Sequence, residues 1–211
     1  MENNVLTLYL TRHGETEWNV EKRMQGWLDS PLTEKGREDA RRLGKRLEAV
    51  DLTAIYTSTS GRALETAKIV RGERSIPIYE DERLREIFLG DWEGKTHEQI
   101  EHLDAASFDH FWNAPHLYAP ERGERFIDVQ MRAFSAVVDI VNRHGSGHVL
   151  IVTHGVVLKT LVARLKQTPL TALWRPPFMH GTSLTTVFVQ DGRWELLSEA
   201  DVSHIEEIKH V

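Results

Sequence analysis

The chain has 211 residues and a formal charge of −6, with 26 Lys and Arg against 32 Asp and Glu, and it has no cysteine. That length fits one domain able to bury about 70% of its unfolded surface. The acidic balance excludes a dedicated nucleic-acid binder, which needs a broad basic field, and the missing thiols exclude disulfides, thiolate metal sites and a cysteine nucleophile.

The opening residues do not read as a secretory leader, because Glu2 stands at the front and the short apolar stretch ends at Arg12. Val5–Thr11 alternates, with Leu6, Leu8 and Leu10 on one face, which is a strand period. Thr33, after Pro31 and Leu32, is placed to cap a helix with apolar positions at Ala40, Leu43 and Leu47. Ala54–Thr57 reads as a second strand, Ser60–Val70 as a helix with Leu64 and Ala67 facing inward, and Ile76–Tyr79 as a third strand. The segment 104–125 breaks this rhythm. It holds Phe108, Phe111, Trp112, Tyr118, Pro115 and Pro120, and is expected to form a small inserted aromatic lobe or lid rather than core.

Phe126–Arg143 is the longest expected helix, its apolar stripe read as Ile127, Phe134, Val137, Val138 and Val141. His148–Thr153 is nearly all apolar, as a strand covered on both faces should be, and Val156–Lys166 returns as a helix. His154, Lys159 and Arg164 interrupt the apolar stretch 149–165, so it does not read as a membrane span of about 20 apolar residues. Ser183–Gln190, Asp191 with Gly192, and Arg193–Ser198 make a terminal hairpin. Strands alternating with helices predict an α/β three-layer sandwich: a mainly parallel sheet with an antiparallel edge and helices on both faces. Residues 1–211 are read as a single domain, soluble and cytoplasmic, monomer or homodimer, with no nucleic-acid or membrane partner.

One pattern repeats. Arg12-His13-Gly14 follows the first strand, and Thr153-His154-Gly155 follows the strand at His148–Thr153. Ligands of open α/β sheets bind at the carboxyl ends of strands, so two histidines delivered there can share one pocket. Either histidine alone reads as a solvated turn residue; the repetition points to a site. Arg12 and Arg62 offer planar, permanently charged forks that match a tetrahedral oxyanion, and Arg62 opens a helix after the hydroxyl-rich run Thr57–Ser60. Taken singly, Arg62 reads better as a surface residue of a capped helix. Asn19 and Gln25 add neutral donors.

Glu86, between apolar Leu84 and Ile87, is either a proton donor beside that pocket or an exposed acid in a charged run. Gly90 to Thr96 imitates a phosphate loop but has three residues between its glycines where four are required, and it sets Asp91 and Glu93 where an anion would lie. The eleven histidines form no H-E-x-x-H motif, so no metal is expected.

Together, Leu10 to Thr16, Trp18-Asn19, Gln25-Gly26, Pro31-Leu32-Thr33 with Gly36, then Ser58 and Arg62, Glu86 with Gly90 and Gly94, and Thr153-His154-Gly155 resemble the ordered signature of the histidine phosphatase (phosphoglycerate mutase-like) superfamily. The resemblance covers the chain from Leu6 to about Val189. It implies His13 as a nucleophile that becomes a phosphohistidine, Arg12, Arg62 and His154 on the phosphoryl oxygens, Asn19 and Gln25 completing the pocket, and Glu86 as proton donor. It implies no cofactor. The rate should then peak on the mildly acidic to neutral side, where His13 is unprotonated and Glu86 protonated.

Within the superfamily, the lobe carries Phe108 and Trp112 where a mutase has a basic stretch. The chain is therefore most similar to the bacterial broad-specificity phosphatases, acting on small phosphate esters. The alternatives are a phosphoglycerate mutase, a phosphatase specific for a sugar bisphosphate or a nucleotide-loop precursor, and an inactive phosphoprotein-binding module.

Overall fold

The computed structural model describes residues 5–205. Its strands are β1 (Val5–Arg12), β2 (Leu52–Thr57), β3 (Ile78–Glu80), β4 (Gly147–Thr153), β5 (Leu184–Gln190) and β6 (Arg193–Asp201). Among the described residues they form one six-stranded sheet in the order β3-β2-β4-β1-β5-β6. The pairs β3–β2, β2–β4 and β4–β1 are parallel, whereas β5 runs antiparallel to β1, and β6 to β5. Between them lie α1 (Glu17–Val20), α2 (Glu34–Arg46), α3 (Gly61–Arg71), α4 (His97–Leu103), α5 (Ala105–Asn113), α6 (Phe126–His144) and α7 (Gly155–Leu165).

The layers follow from side-chain alternation along the central strand β4. Val149 and Ile151 enter the core shared with α6 and α7, while Leu150 and Val152 enter the core shared with α2 and α3. Leu6, Leu8 and Leu10 of β1 all join the first of these cores. The sandwich is the α/β, mainly parallel arrangement with an antiparallel edge that the alternation of elements predicts. Local chemistry sets the boundaries. The Thr33 hydroxyl accepts from the Gly36 N–H at 2.9 Å to start α2, whose Ala40 and Leu43, with the following Leu47, are buried. Asp191 and Gly192, at φ 50° and 76°, form the tight turn whose twist matches a hairpin.

Some expectations need correction. Leu64 of α3 is only half-buried; the inward residues are Ala63, Ala67 and Val70. Small side chains win there because α2 and α3 approach closely, and a Cβ on Gly44 would meet the Val70 carbonyl oxygen at 2.9 Å. The buried stripe of α6 is Phe126, Val129, Ala133, Ala136, Val137 and Ile140, rotated from the expected face, and Ile127 is exposed. This helix is apolar on adjoining faces, so periodicity leaves its rotation open; Phe134 instead packs against Trp194 beneath the Arg164 guanidinium. β3 begins at Ile78, because Pro77 has no N–H for the ladder. Finally, the aromatics of 104–125 do not stand apart from the core: Phe111 and Tyr118 are buried in it beside Trp92 and Phe126.

Candidate active site

The sheet register brings the two histidines together. Arg12 pairs with Thr153 across β1 and β4, and the His13 N–H donates to the Thr153 carbonyl at 2.9 Å. The neighbouring parallel strands therefore release His13 and His154 at the same level, with ring centroids 5.2 Å apart. On the far side of β4, β2 releases Ser58, and the chain turns through Ser60 into α3, placing Arg62 in its first turn. Gly14 is required by close approach: a Cβ there would stand 2.6 Å from the Gly36 carbonyl oxygen, where the start of α2 docks against residues 14–15.

The hydrogen bonds fix the state of His13. Its Nδ1 lies 2.7 Å from the Gly14 carbonyl oxygen, which can only accept, so Nδ1 carries the proton. Nε2 keeps its lone pair, and the Arg62 Nε–H donates to it at 3.3 Å. Burial, then the Arg62 and Arg12 charges, hold the His13 pKa well below the ordinary 6.5. The ring is 3% exposed and lines a cavity of about 670 Å³. It is a neutral imidazole with its lone pair held among cations.

Arg62 is almost wholly buried and is held by the 26–29 turn: it donates to the Gly26 and Leu28 carbonyls and pairs with Asp29 at 2.8 Å. Arg12 donates to the Met179 carbonyl at 3.0 Å, and its buried Nε has no partner among the described residues. Burial lowers both guanidinium pKa values, yet such groups keep their charge at working pH. His154 caps α7, shares a 2.7 Å hydrogen bond with the Ser58 hydroxyl through Nε2, and has an unpartnered buried Nδ1. It does not line the cavity but lies beside His13. Burial, then Arg62, His13 and Arg12, hold its pKa well below 6.5.

Glu86 also lines the cavity, and its carboxylate accepts from the Ile87 N–H at 2.9 Å and the Val156 N–H at 3.2 Å. Asn19 and Gln25 converge on Thr16. The Asn19 Oδ1 takes the Thr16 N–H and hydroxyl, while the Gln25 Nε2 donates to the Thr16 hydroxyl and leaves its buried Oε1 unpaired. Both line the cavity, with Lys22 and Arg23 at its edge.

The expected site residues thus meet at one place. Of the lobe residues, Trp112 lines the cavity together with Phe111; Phe108 does not, and packs behind against Trp92, His97 and Trp112. Sequence reasoning missed the rest of the lining: Trp174, in ring contact with Trp112 and Phe111, then Pro176, Pro177, Phe178 and His180. An aromatic–proline run ahead of the hairpin was the available signal. It also missed Asp29, whose role depends on a partner 33 positions away. Among the described residues, no group of three or more His, Asp or Glu is placed to hold a metal ion, and no helix is long and apolar enough to cross a membrane.

Comparison with known proteins shows the family and the fold. The family model described as "Histidine phosphatase superfamily (branch 1)" matches residues 8–202. The solved structure of Bacillus stearothermophilus YhfR is 72% identical, with a TM-score of 0.94, covering 95% of this chain and 100% of its own. A mycobacterial glucosyl-3-phosphoglycerate phosphatase, solved as complexes with VO3, is 32% identical, with a TM-score of 0.83, covering 92% of this chain and 98% of its own. Phosphoglycerate mutase-like protein 4 of Arabidopsis thaliana is 30% identical, covering 95% of this chain and 87% of its own.

Proposed function

The chain belongs to the histidine phosphatase superfamily, and from that premise we propose that it is a phosphomonoesterase of broad substrate range that works through a phosphohistidine on His13 and needs no metal. The observation that carries this reading is the Nε2 lone pair of His13, set by the Nδ1–H bond to Gly14 and turned to Arg62 at the cavity.

In the first step Nε2 attacks phosphorus, and the P–O bond to the leaving group breaks. Glu86 gives its proton to the departing oxygen. Arg12 and Arg62 face the equatorial oxygens and stabilise charge as it spreads over them, while His154 stands beside His13 rather than on the cavity wall. In the second step water attacks the phosphohistidine, the P–N bond breaks and Glu86 takes the water's proton. Two guanidiniums supply the positive charge that a metal would otherwise provide. The aromatic walls at Trp112, Trp174 and Phe178 suit apolar and variable leaving groups, which supports breadth over a single sugar bisphosphate or nucleotide-loop precursor.

Purified protein should release phosphate from p-nitrophenyl phosphate in EDTA, and His13→Ala should lower that rate by several orders of magnitude. Enzyme quenched in alkaline denaturant, where the acid-labile P–N bond survives, should carry one phosphoryl group on His13. Undiminished turnover by the variant overturns the reading, as does strict metal dependence. The likeness to the mutase-like plant protein motivates a second reading, a phosphoglycerate mutase. Isomerisation of 3-phosphoglycerate primed by the bisphosphate, faster than its hydrolysis, would select it. Absence of any turnover or phosphoenzyme would instead leave a phosphoprotein-binding module.

A further inference from the structure

A half-buried fork outside the cavity holds the segment that carries Glu86. Arg132, on α6, uses all five of its N–H donors. Nε and one Nη2 hydrogen grip the Glu124 carboxylate at 2.7 and 2.8 Å, Nη1 donates to the Arg83 and Arg85 carbonyls at 2.7 and 2.6 Å, and Nη2 donates to the Glu86 carbonyl at 2.9 Å. Glu124 closes the other side, accepting from the Phe88 N–H at 2.8 Å while its own N–H donates to the Phe88 carbonyl. Side chains of Arg132 and Glu124 are 18% and 20% exposed, so water competes little for these bonds. The stem is rigid, because Val129, Ala133 and Ala136 of the same helix are fully buried.

We propose that Arg132, seated by Glu124, is the positioning residue for Glu86. It touches no reacting atom. It grips the backbone of the 83–88 segment at several points, so that the Glu86 carboxylate meets the leaving oxygen at proton-transfer distance. A planar fork suits this task, since three carbonyls and one carboxylate arrive in directions that a single ammonium cannot serve. The proposal rests on the reading of Glu86 as proton donor.

The test compares benzyl phosphate, whose basic alkoxide must be protonated to leave, with p-nitrophenyl phosphate, whose stable phenolate leaves without help. Glu86→Gln should lose roughly 10²–10⁴ on the benzyl ester and much less on the nitrophenyl ester. Arg132→Met should show the same selectivity, about a hundredfold on the benzyl ester, as expected for a misplaced catalytic group. Arg132→Lys should recover part of it, Glu124→Gln should lie between, and Arg132→Met in the Glu86→Gln background should leave the ratio unchanged.

The ratio of two rates on one preparation cancels any unfolded fraction. Equal loss on both esters in Arg132→Met, beside selective loss in Glu86→Gln, overturns the clamp alone. A further change of ratio in the double variant does the same. Equal loss in Glu86→Gln overturns the proton-donor reading itself.

Discussion

The His13 imidazole illustrates how much one buried hydrogen bond decides. The Gly14 carbonyl sets the tautomer, burial and two arginines keep the ring neutral, and the lone pair that remains, on Nε2, is the one that Arg62 meets beside the cavity. The depressed pKa gives a signed prediction. Protonation of the free enzyme's His13 requires more acid than for an ordinary histidine, so the acid-side fall of kcat/KM should lie well below pH 6.5. A 15N NMR titration should show His13 Nε2 unprotonated across that range, and a midpoint at or above 6.5 would contradict the assignment. Asp29→Asn should also lower kcat/KM, by about tenfold, since it removes the charge-assisted bond that holds the Arg62 fork in line. At this scale a repeated strand–His–Gly pattern pointed to His13 and His154, with Arg12 beside the first, whereas Arg62 was read from the hydroxyl-rich turn before its helix. It was silent on Asp29 and Arg132, because an ion pair between distant positions leaves no periodicity or spacing to read.

Among the elements, strand and cap signals proved the most legible. The alternating leucines of β1, the Thr33 cap of α2 and the Asp191-Gly192 turn each have a local cause, and each appears where that cause acts. The rotation of α6 was not legible, since its apolar residues occupy adjoining faces and only the neighbours select one. The aromatic segment misled for a related reason: broken periodicity at 104–125 says that the backbone is irregular, not that Phe111 and Tyr118 avoid the core. Two substitutions test these causes. Gly14→Ala places a methyl 2.6 Å from the Gly36 carbonyl oxygen, which backbone cannot easily yield. Overpacking of this kind costs roughly 1–3 kcal/mol, and calorimetry should show a matching fall in Tm. Phe111→Ala, which empties a fully buried ring site, should cost about 3–5 kcal/mol, measured by urea denaturation.

For the molecule as a whole, the site and the stability are linked through protons. His13 and His154 have pKa values held well below 6.5, and His97, His144, His180 and His204 are also lowered, chiefly by burial. In the unfolded chain these groups take up protons near pH 6.5. The folded state does so only at lower pH, so stability is present above that value and is lost as the pH falls through it. Tm should therefore drop between pH 7 and pH 5, and unchanged melting over that interval would count against neutral buried imidazoles. Vanadate at about 100 times its Kd should add about 2.7 kcal/mol, read as a rise in Tm.

The pairing of β1 with β4 has an evolutionary reach. Because ladder hydrogen bonds between two central strands fix the interval between the imidazoles, the reactive centre is insulated from drift in the peripheral walls. Trp112 and Phe178 lie outside that pairing, so under the proposed function a change at either would alter which esters are accepted while the residues on β1 and β4 stay in register. New selectivity can arise by remodelling the approach alone, without reinventing the chemistry.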